Sequence, residues 1–394
     1  MILIKNVTLY NMAGINGEYY DILVEDGKIK AIGSFNSYEL GGVQVILAKH
    51  RFALPGLIDA HCHVGLLETL GFEPGNDVNE VTSPITPELR AIDALKPQDI
   101  GFTEALKGGV TTVATGPGSA NIIGGTYCVC KTHGKTVEDM VLIEEAGMKM
   151  ALGENPKRVY GRKNQTPSTR MATAAILRES LQKAKLYMEK WDQYEEELKT
   201  NPLAKKPEYN AKWHSLMRVF KGMQVKIHCH QTDDIVTAIR ISEEFGLNST
   251  LEHCTEGYMI ADVIKKHNKK VVLGPTLTSK SKHEVRNLSF KSASVMKKHG
   301  VDFALMTDHP VVSLEHTLVQ AGLYVREGLP KQEALKALTV TPAKMLGIFD
   351  RVGSIEVGKD ADIVIYSGDP FDYDTVVDYV LINGEIVYKR EGLK

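Results

Sequence analysis

Long apolar runs are missing from this chain. No stretch of about 18 apolar residues occurs, so a membrane-spanning helix is not expected. An excess of one charge is missing too, with 47 Lys and Arg against 49 Asp and Glu and a formal net charge of −2. That balance argues against a broad electrostatic footprint for nucleic acid or for an anionic membrane. Cysteine is scarce and odd in number, five in 394 residues, and no pair has the CxxC spacing of a zinc ribbon or a thioredoxin motif. The opening residues Met1 to Asn6 read as a strand and lack the regions of a signal peptide, which predicts a cytoplasmic location. Neither a GxGxxG nor a GKS/T phosphate loop occurs, so Gly116-Pro117-Gly118 with Gly124-Gly125 reads as a flexible active-site loop. No internal repeat or low-complexity tract stands out. What remains is ordinary globular material, 43% hydrophobic and 24% charged.

The two ends of the chain share a β texture. Ile2 to Tyr10 and Tyr20 to Glu25 are strand-like, and Asp26-Gly27 makes a hairpin turn into Lys28 to Gly33. Near the other end, Ala361 to Tyr366 and Val377 to Val387 are apolar runs separated by turn residues such as Asn383-Gly384. Two such segments most simply meet in one small discontinuous domain, a composite β-sandwich of residues 1–52 and 350–394. Between them, residues 53–349 alternate strands with helices, the pattern of a (β/α)8 TIM-like barrel. Candidate barrel strands are Ala53 to Ala60, Val110 to Thr115, Met148 to Gly153, Gln224 to His228, Ser249 to Glu252, Lys270 to Gly274 and Asp302 to Thr307. An eighth is expected between about 155 and 223, where a helix from Met171 to Lys199 carries an apolar stripe through Leu177, Leu181 and Ala184.

The chemistry concentrates in Leu54-Pro55-Gly56-Leu57-Ile58-Asp59-Ala60-His61-Cys62-His63. Residues two apart on a strand share a face, so His61 and His63 point together and Cys62 points away. Two imidazoles at the carboxyl end of a barrel strand can chelate one divalent metal. Cys62 and Cys229 turn outward by the same alternation and read as small hydrophobes in the helix-packing layer.

Preceded by Pro-Gly-x-Ile-Asp, this HxH resembles the first barrel strand of the amidohydrolase superfamily, PGxxDxHxH. The chain is most similar to its imidazolonepropionase-like and dipeptidase-like branch. The resemblance implies further ligands as histidines ending strands 5 and 6 and an aspartate ending strand 8. Val225-Lys226-Ile227-His228, Leu251-Glu252-His253 and Leu305-Met306-Thr307-Asp308 supply them. The spacing agrees independently: His228 and His253 lie 25 residues apart, about one βα unit. Superfamily members also carry a bridging ligand, either a carboxylated lysine or a glutamate. Glu154, after the strand Met148 to Gly153, is the expected bridge. Lys226 is its rival, but sits one pleat deeper than His228, roughly 6–7 Å back. Strand 5 offers a second HxH, His228-Cys229-His230; the alignment implies His228 as ligand, with His230 further out and facing substrate.

These features imply a metal-dependent hydrolase cleaving a C–N bond in an amide, cyclic amide or dipeptide. One or two divalent ions, Zn2+ first and Mn2+ or Fe2+ as alternatives, would be held by His61, His63, Glu154, His228, His253 and Asp308. Asp308 is the expected acid–base residue. Lys157, Arg158 and Arg162 are candidate partners for a substrate carboxylate. The expected partner is a small molecule, not nucleic acid or membrane, and a homo-oligomer is expected. Two other readings compete: a ring-amine deaminase, disfavoured by Gln231 where such enzymes usually have a glutamate, and a non-catalytic scaffold, disfavoured because every ligand position survives.

Overall fold

The computed structural model describes residues 1–36, 40–68 and 75–393. Strands β1 (Ile2–Tyr10), β2 (Asn16–Glu25), β3 (Lys28–Gly33), β4 (Gln44–Leu47) and β5 (Phe52–Pro55) open the chain. The middle holds β6 (Leu57–Cys62), β7 (Val110–Thr115), β8 (Ile123–Lys131), β9 (Val141–Ala151), β10 (Gln224–Cys229), β11 (Ser249–His253), β12 (Lys270–Leu273) and β13 (Phe303–Leu305). The chain closes with β14 (Ile363–Tyr366), β15 (Val377–Ile382) and β16 (Glu385–Lys389).

The strands from the two ends join in one sheet, in the order β16-β15-β14-β5-β1-β2-β3, with β4 also paired to β1. Alternation gives this sheet two apolar faces. Ile363 and Ile365 of β14 pack with Ile4, Leu9 and Ile22 in one cluster. Val364 and Tyr366 point the other way, onto Leu106 and Leu335 of the barrel helices. A buried charge network adds to the joint: Lys131 Nζ of β8 meets Asp362 at 2.6 Å and Asp360 at 3.2 Å. Asp360 is also paired with Lys28 at 2.6 Å and Arg351 at 2.8 Å.

The expected strand from Ala53 to Ala60 is really two. Residues 52–55 pair antiparallel with β14, and the chain crosses at Gly56 into the barrel, where Leu57 onward runs beside β7. The expected eighth strand is also misplaced. Residues 155–223 hold helices, chiefly the 29-residue Arg170–Leu198, whereas the extra strand is β8. It runs antiparallel to both β7 and β9, so the barrel is mixed rather than wholly parallel. Its Gly124-Gly125 pair disguises it as a loop. Gly125 has φ +116°, and a Cβ there would stand 2.4 Å from the Leu89 carbonyl oxygen, because the segment before residue 91 hydrogen-bonds across this strand.

The barrel sheet runs β6 to β13 in sequence order. The seam between β6 and β13 is closed by a side chain: Asp59 Oδ2 accepts hydrogen bonds from Thr307 N–H at 2.8 Å and Thr307 Oγ1 at 2.6 Å. At the carboxyl end, His63 N–H donates to the His309 carbonyl at 2.9 Å. In strand order β9 is then the fourth strand, β10 the fifth, β11 the sixth and β13 the eighth.

Candidate metal centre

Each expected histidine lies at or just past the carboxyl end of its strand, on the face where barrel enzymes carry their chemistry. Among the described residues, two groups bring ligand atoms within 4.8 Å of one another: His61, His63 and Asp308, and His228, His230 and His253. The groups adjoin, with the His61 and His253 rings 5.1 Å apart between centroids. Sequence reasoning chose between His228 and His230; the structure brings both together.

The hydrogen bonds aim these rings. His61 Nδ1 lies 2.6 Å from Glu252 Oε2, His63 Nδ1 2.7 Å from the Gly116 carbonyl, and His253 Nδ1 2.9 Å from the Gly274 carbonyl. A carbonyl or carboxylate oxygen can only accept, so each Nδ1 carries the proton and each Nε2 keeps its lone pair for the centre. His230 Nδ1 contacts Thr255 Oγ1 at 2.7 Å. Both ring nitrogens of His228, His230 Nε2 and Asp308 Oδ1 are buried without a hydrogen-bond partner. Buried polar atoms left without partners are costly unless something binds them. This donor set of neutral imidazoles and a carboxylate fits a divalent ion.

Electrostatics keep the donors ready. Burial lowers the pKa of His61, brings His228 down to about 4, and holds His230 and His253 well below the ordinary imidazole value. All four are therefore neutral and able to ligate at neutral pH. Burial alone would raise the Asp308 carboxyl, but His253, His61 and His63 outweigh it and hold it well below the usual carboxylate range. His253 and Asp308 also adopt left-handed backbone conformations, φ +70° and +54°, which turn the side chains that end β11 and follow β13 toward the centre. Such conformations cost energy in non-glycine residues and cluster where function requires them.

Three further groups lie beneath the rings and were missed from the sequence. Lys149 of β9 is fully buried, its Nζ 3.3 Å from His61 Nε2 and 3.4 Å from the Tyr127 hydroxyl. Burial brings its pKa down to about 8. Tyr127 of β8 reaches His61 Nε2 at 3.1 Å. Glu252 directly precedes His253 on β11, and its pKa is brought down to about 2: burial would raise it, but Lys226 and His61 outweigh that. Lys149 and Glu252 did leave a signal, since each is a charge inside a segment read as a buried barrel strand.

Glu154 lies elsewhere than expected. It belongs to neither ligand group; its carboxylate accepts from the Glu284 backbone N–H at 3.3 Å and faces Arg158 at 3.8 Å. It begins the helix Glu154–Gly161, which turns its side chain toward the loop after β12. Lys226 belongs to neither ligand group and donates to the Ala60 carbonyl at 2.9 Å. Lys157 is half-buried on that helix, and Arg158 and Arg162 are exposed. All five cysteines are free and buried.

A model of the amidohydrolase family matches residues 52–387. The chain belongs to that family. An amidohydrolase from Thermotoga maritima MSB8 is 43% identical and superposes with a TM-score of 0.94, covering 99% of this chain and 100% of that one. The amidohydrolase tasK of Hapsidospora irregularis is 27% identical over 94% of this chain, which spans only 40% of that relative's length. A 5-methylthioadenosine/S-adenosylhomocysteine deaminase from Thermoanaerobacter pseudethanolicus is 23% identical over 100% of this chain and 95% of its own length. Family membership and fold together make the protein a hydrolase of amidohydrolase type whose histidine groups could hold a divalent metal.

Proposed function

We propose that the protein is a divalent-metal-dependent hydrolase of C–N bonds in small amides, cyclic amides or dipeptides. The observation that carries the reading is the meeting of two ligand groups in which both ring nitrogens of His228, His230 Nε2 and Asp308 Oδ1 are buried without a hydrogen-bond partner. His61, His63 and Asp308 would hold one ion, and His228, His230 and His253 a second, with Zn2+ the best match to imidazole and carboxylate donors. Such an ion would lend Lewis acidity to the scissile carbonyl and to the attacking water.

Asp308 would take the proton of that water and return it to the leaving nitrogen. Its position supports this role, because Asp308 and His63 keep 15% and 12% side-chain exposure while His61, His228 and His230 keep 5% or less. Water therefore reaches the centre on the Asp308 side. Lys157, Arg158 and Arg162 remain the proposed partners of a substrate carboxylate. A deaminase reading is not adopted: Gln231 cannot carry a proton at neutral pH, and its Oε1 is taken by Arg170 at 2.5 Å.

Lys149, not Glu154, is the proposed bridge. A lysine whose pKa is brought down to about 8 has an appreciable neutral fraction near neutrality. Its neutral amine can add CO2 and lose one proton, giving a carbamate whose two oxygens are ligands. We expect the native mass of the chain to include one CO2. Lys149→Ala should lower the metal content, and a short carboxylic acid that fills the space should restore part of it; Lys226→Ala and Glu154→Gln should keep the metal. Full metal content in Lys149→Ala would move the bridge elsewhere.

The substrate class is tested by screening dipeptides and cyclic amides with untreated, chelator-treated and metal-reconstituted protein. Turnover that disappears with chelator and returns with Zn2+ is expected. Turnover indifferent to chelator would contradict the proposal.

A further inference from the structure

The loop between β12 and β13 carries one more acid to the second histidine group. Glu284 lies in the short 3-10 helix His283–Val285 and is fully buried. Its Oε1 stands 3.6 Å from His228 Nε2 and 3.5 Å from His230 Nε2. Neither contact is a hydrogen bond, since both Nε2 atoms are without partners. Donors about 2.1 Å from one tetrahedral ion stand about 3.4 Å from each other. Both distances match the spacing of ligands sharing an ion, and Glu284 stands beside, not within, the set of His228, His230 and His253 atoms that lie within 4.8 Å of one another.

The surroundings hold the carboxylate in that position. Oε2 accepts from the Glu154 backbone N–H at 2.9 Å, and Oε1 accepts from Lys282 Nζ at 2.5 Å. Gly153 lets the acid approach: its φ is +81°, and a Cβ there would stand 2.9 Å from Glu284 Oε2. Charge points the same way. Three neutral imidazoles bring no charge to a buried 2+ ion, so the Glu284 carboxylate would add to the charge a Lys149 carbamate supplies, and uncompensated burial of charge is strongly unfavourable.

We propose that Glu284 is a carboxylate ligand of a divalent ion held with His228 and His230, and that this contact orders the loop 275–290. The inference rests on the metal-dependent reading above. It also explains what Glu154 does instead of bridging: its backbone N–H and its carboxylate both grip the segment that delivers Glu284.

The test is a Zn2+ titration of the full chain, stripped of metal, against a chromogenic chelator. It compares wild type with Glu284→Ala, Glu284→Gln, His228→Ala and the His228→Ala/Glu284→Ala pair. Amide hydrogen exchange of residues 275–290 is followed with and without Zn2+. Each Glu284 variant should bind one Zn2+ at least about 10-fold more weakly, as expected for loss of a group that holds a metal site together. The paired variant should lose less than the sum of the two single losses, because both groups serve one ion. Zn2+ should slow exchange in the wild-type loop and not in the variants. Wild-type zinc affinity in both Glu284 variants, or loop exchange in wild type that ignores Zn2+, would overturn the role of Glu284 alone. A wild-type chain that takes up no zinc would overturn the metal reading as well.

Discussion

Asp308 shows how much rests on one side chain. An aspartate before Pro310 could have served only to cap a helix, but no helix begins there; the next turn, Leu314–His316, is capped by Ser313. Asp308 Oδ1 instead stands 3.1 Å from His63 Nε2 and 3.4 Å from His61 Nε2. Asp308→Asn keeps the shape and removes the base. We predict a fall in kcat of at least about 10²-fold, the scale of general acid–base catalysis, with a smaller change in KM. Steady-state kinetics on any substrate found by screening checks this, and turnover near the wild-type value would end the assignment. The residues legible in the sequence were those whose signal is local: His61 and His63 share a strand face by alternation alone. Lys149, Tyr127 and Glu252 act through neighbours on other strands, so their roles depend on strand order. Glu284 arrives on a loop, where no periodicity marks it.

At the scale of elements, the barrel depends on a seam between β6 and β13 that no strand ladder among the described residues closes. Asp59 spans it, accepting from Thr307 N–H, Thr307 Oγ1 and, at 2.9 Å, His61 N–H. Asp59→Ala would leave these buried donors unmet, at about 1–3 kcal/mol for each group left unsatisfied. We expect a loss of about 3 kcal/mol or more, measured by urea unfolding of metal-free protein so that weaker metal binding does not contribute. A loss under about 1 kcal/mol would show that Asp59 does not hold the seam. Strands with an unbroken apolar run, such as Val271 to Leu273 and Phe303 to Met306, could be read directly. β8 could not, because Gly124-Gly125 looks like a turn until the backbone of Leu89 is seen lying against it. Gly56 hid a boundary in the same way, since apolar residues flank it in both sheets.

Over the whole molecule, the ends of the chain meet in one sheet that covers one side of the barrel, while the ligand groups gather at the carboxyl ends of its strands. The meeting of the ends followed from texture alone. Which face of that sheet would pack on the barrel did not, because β14 is apolar on both. The convergence of donors from β6, β10, β11 and the turn after β13 is a property of the closed barrel, and metal binding is the proposed consequence. The most direct measurement is divalent metal per chain in wild type and in His61→Ala/His63→Ala, both purified without chelator and checked for folding by circular dichroism. We predict one or two ions per wild-type chain and a large loss in the double variant, because removing two ligands leaves too few donors for the site. A folded double variant that retains the wild-type metal content would contradict the assignment of this centre.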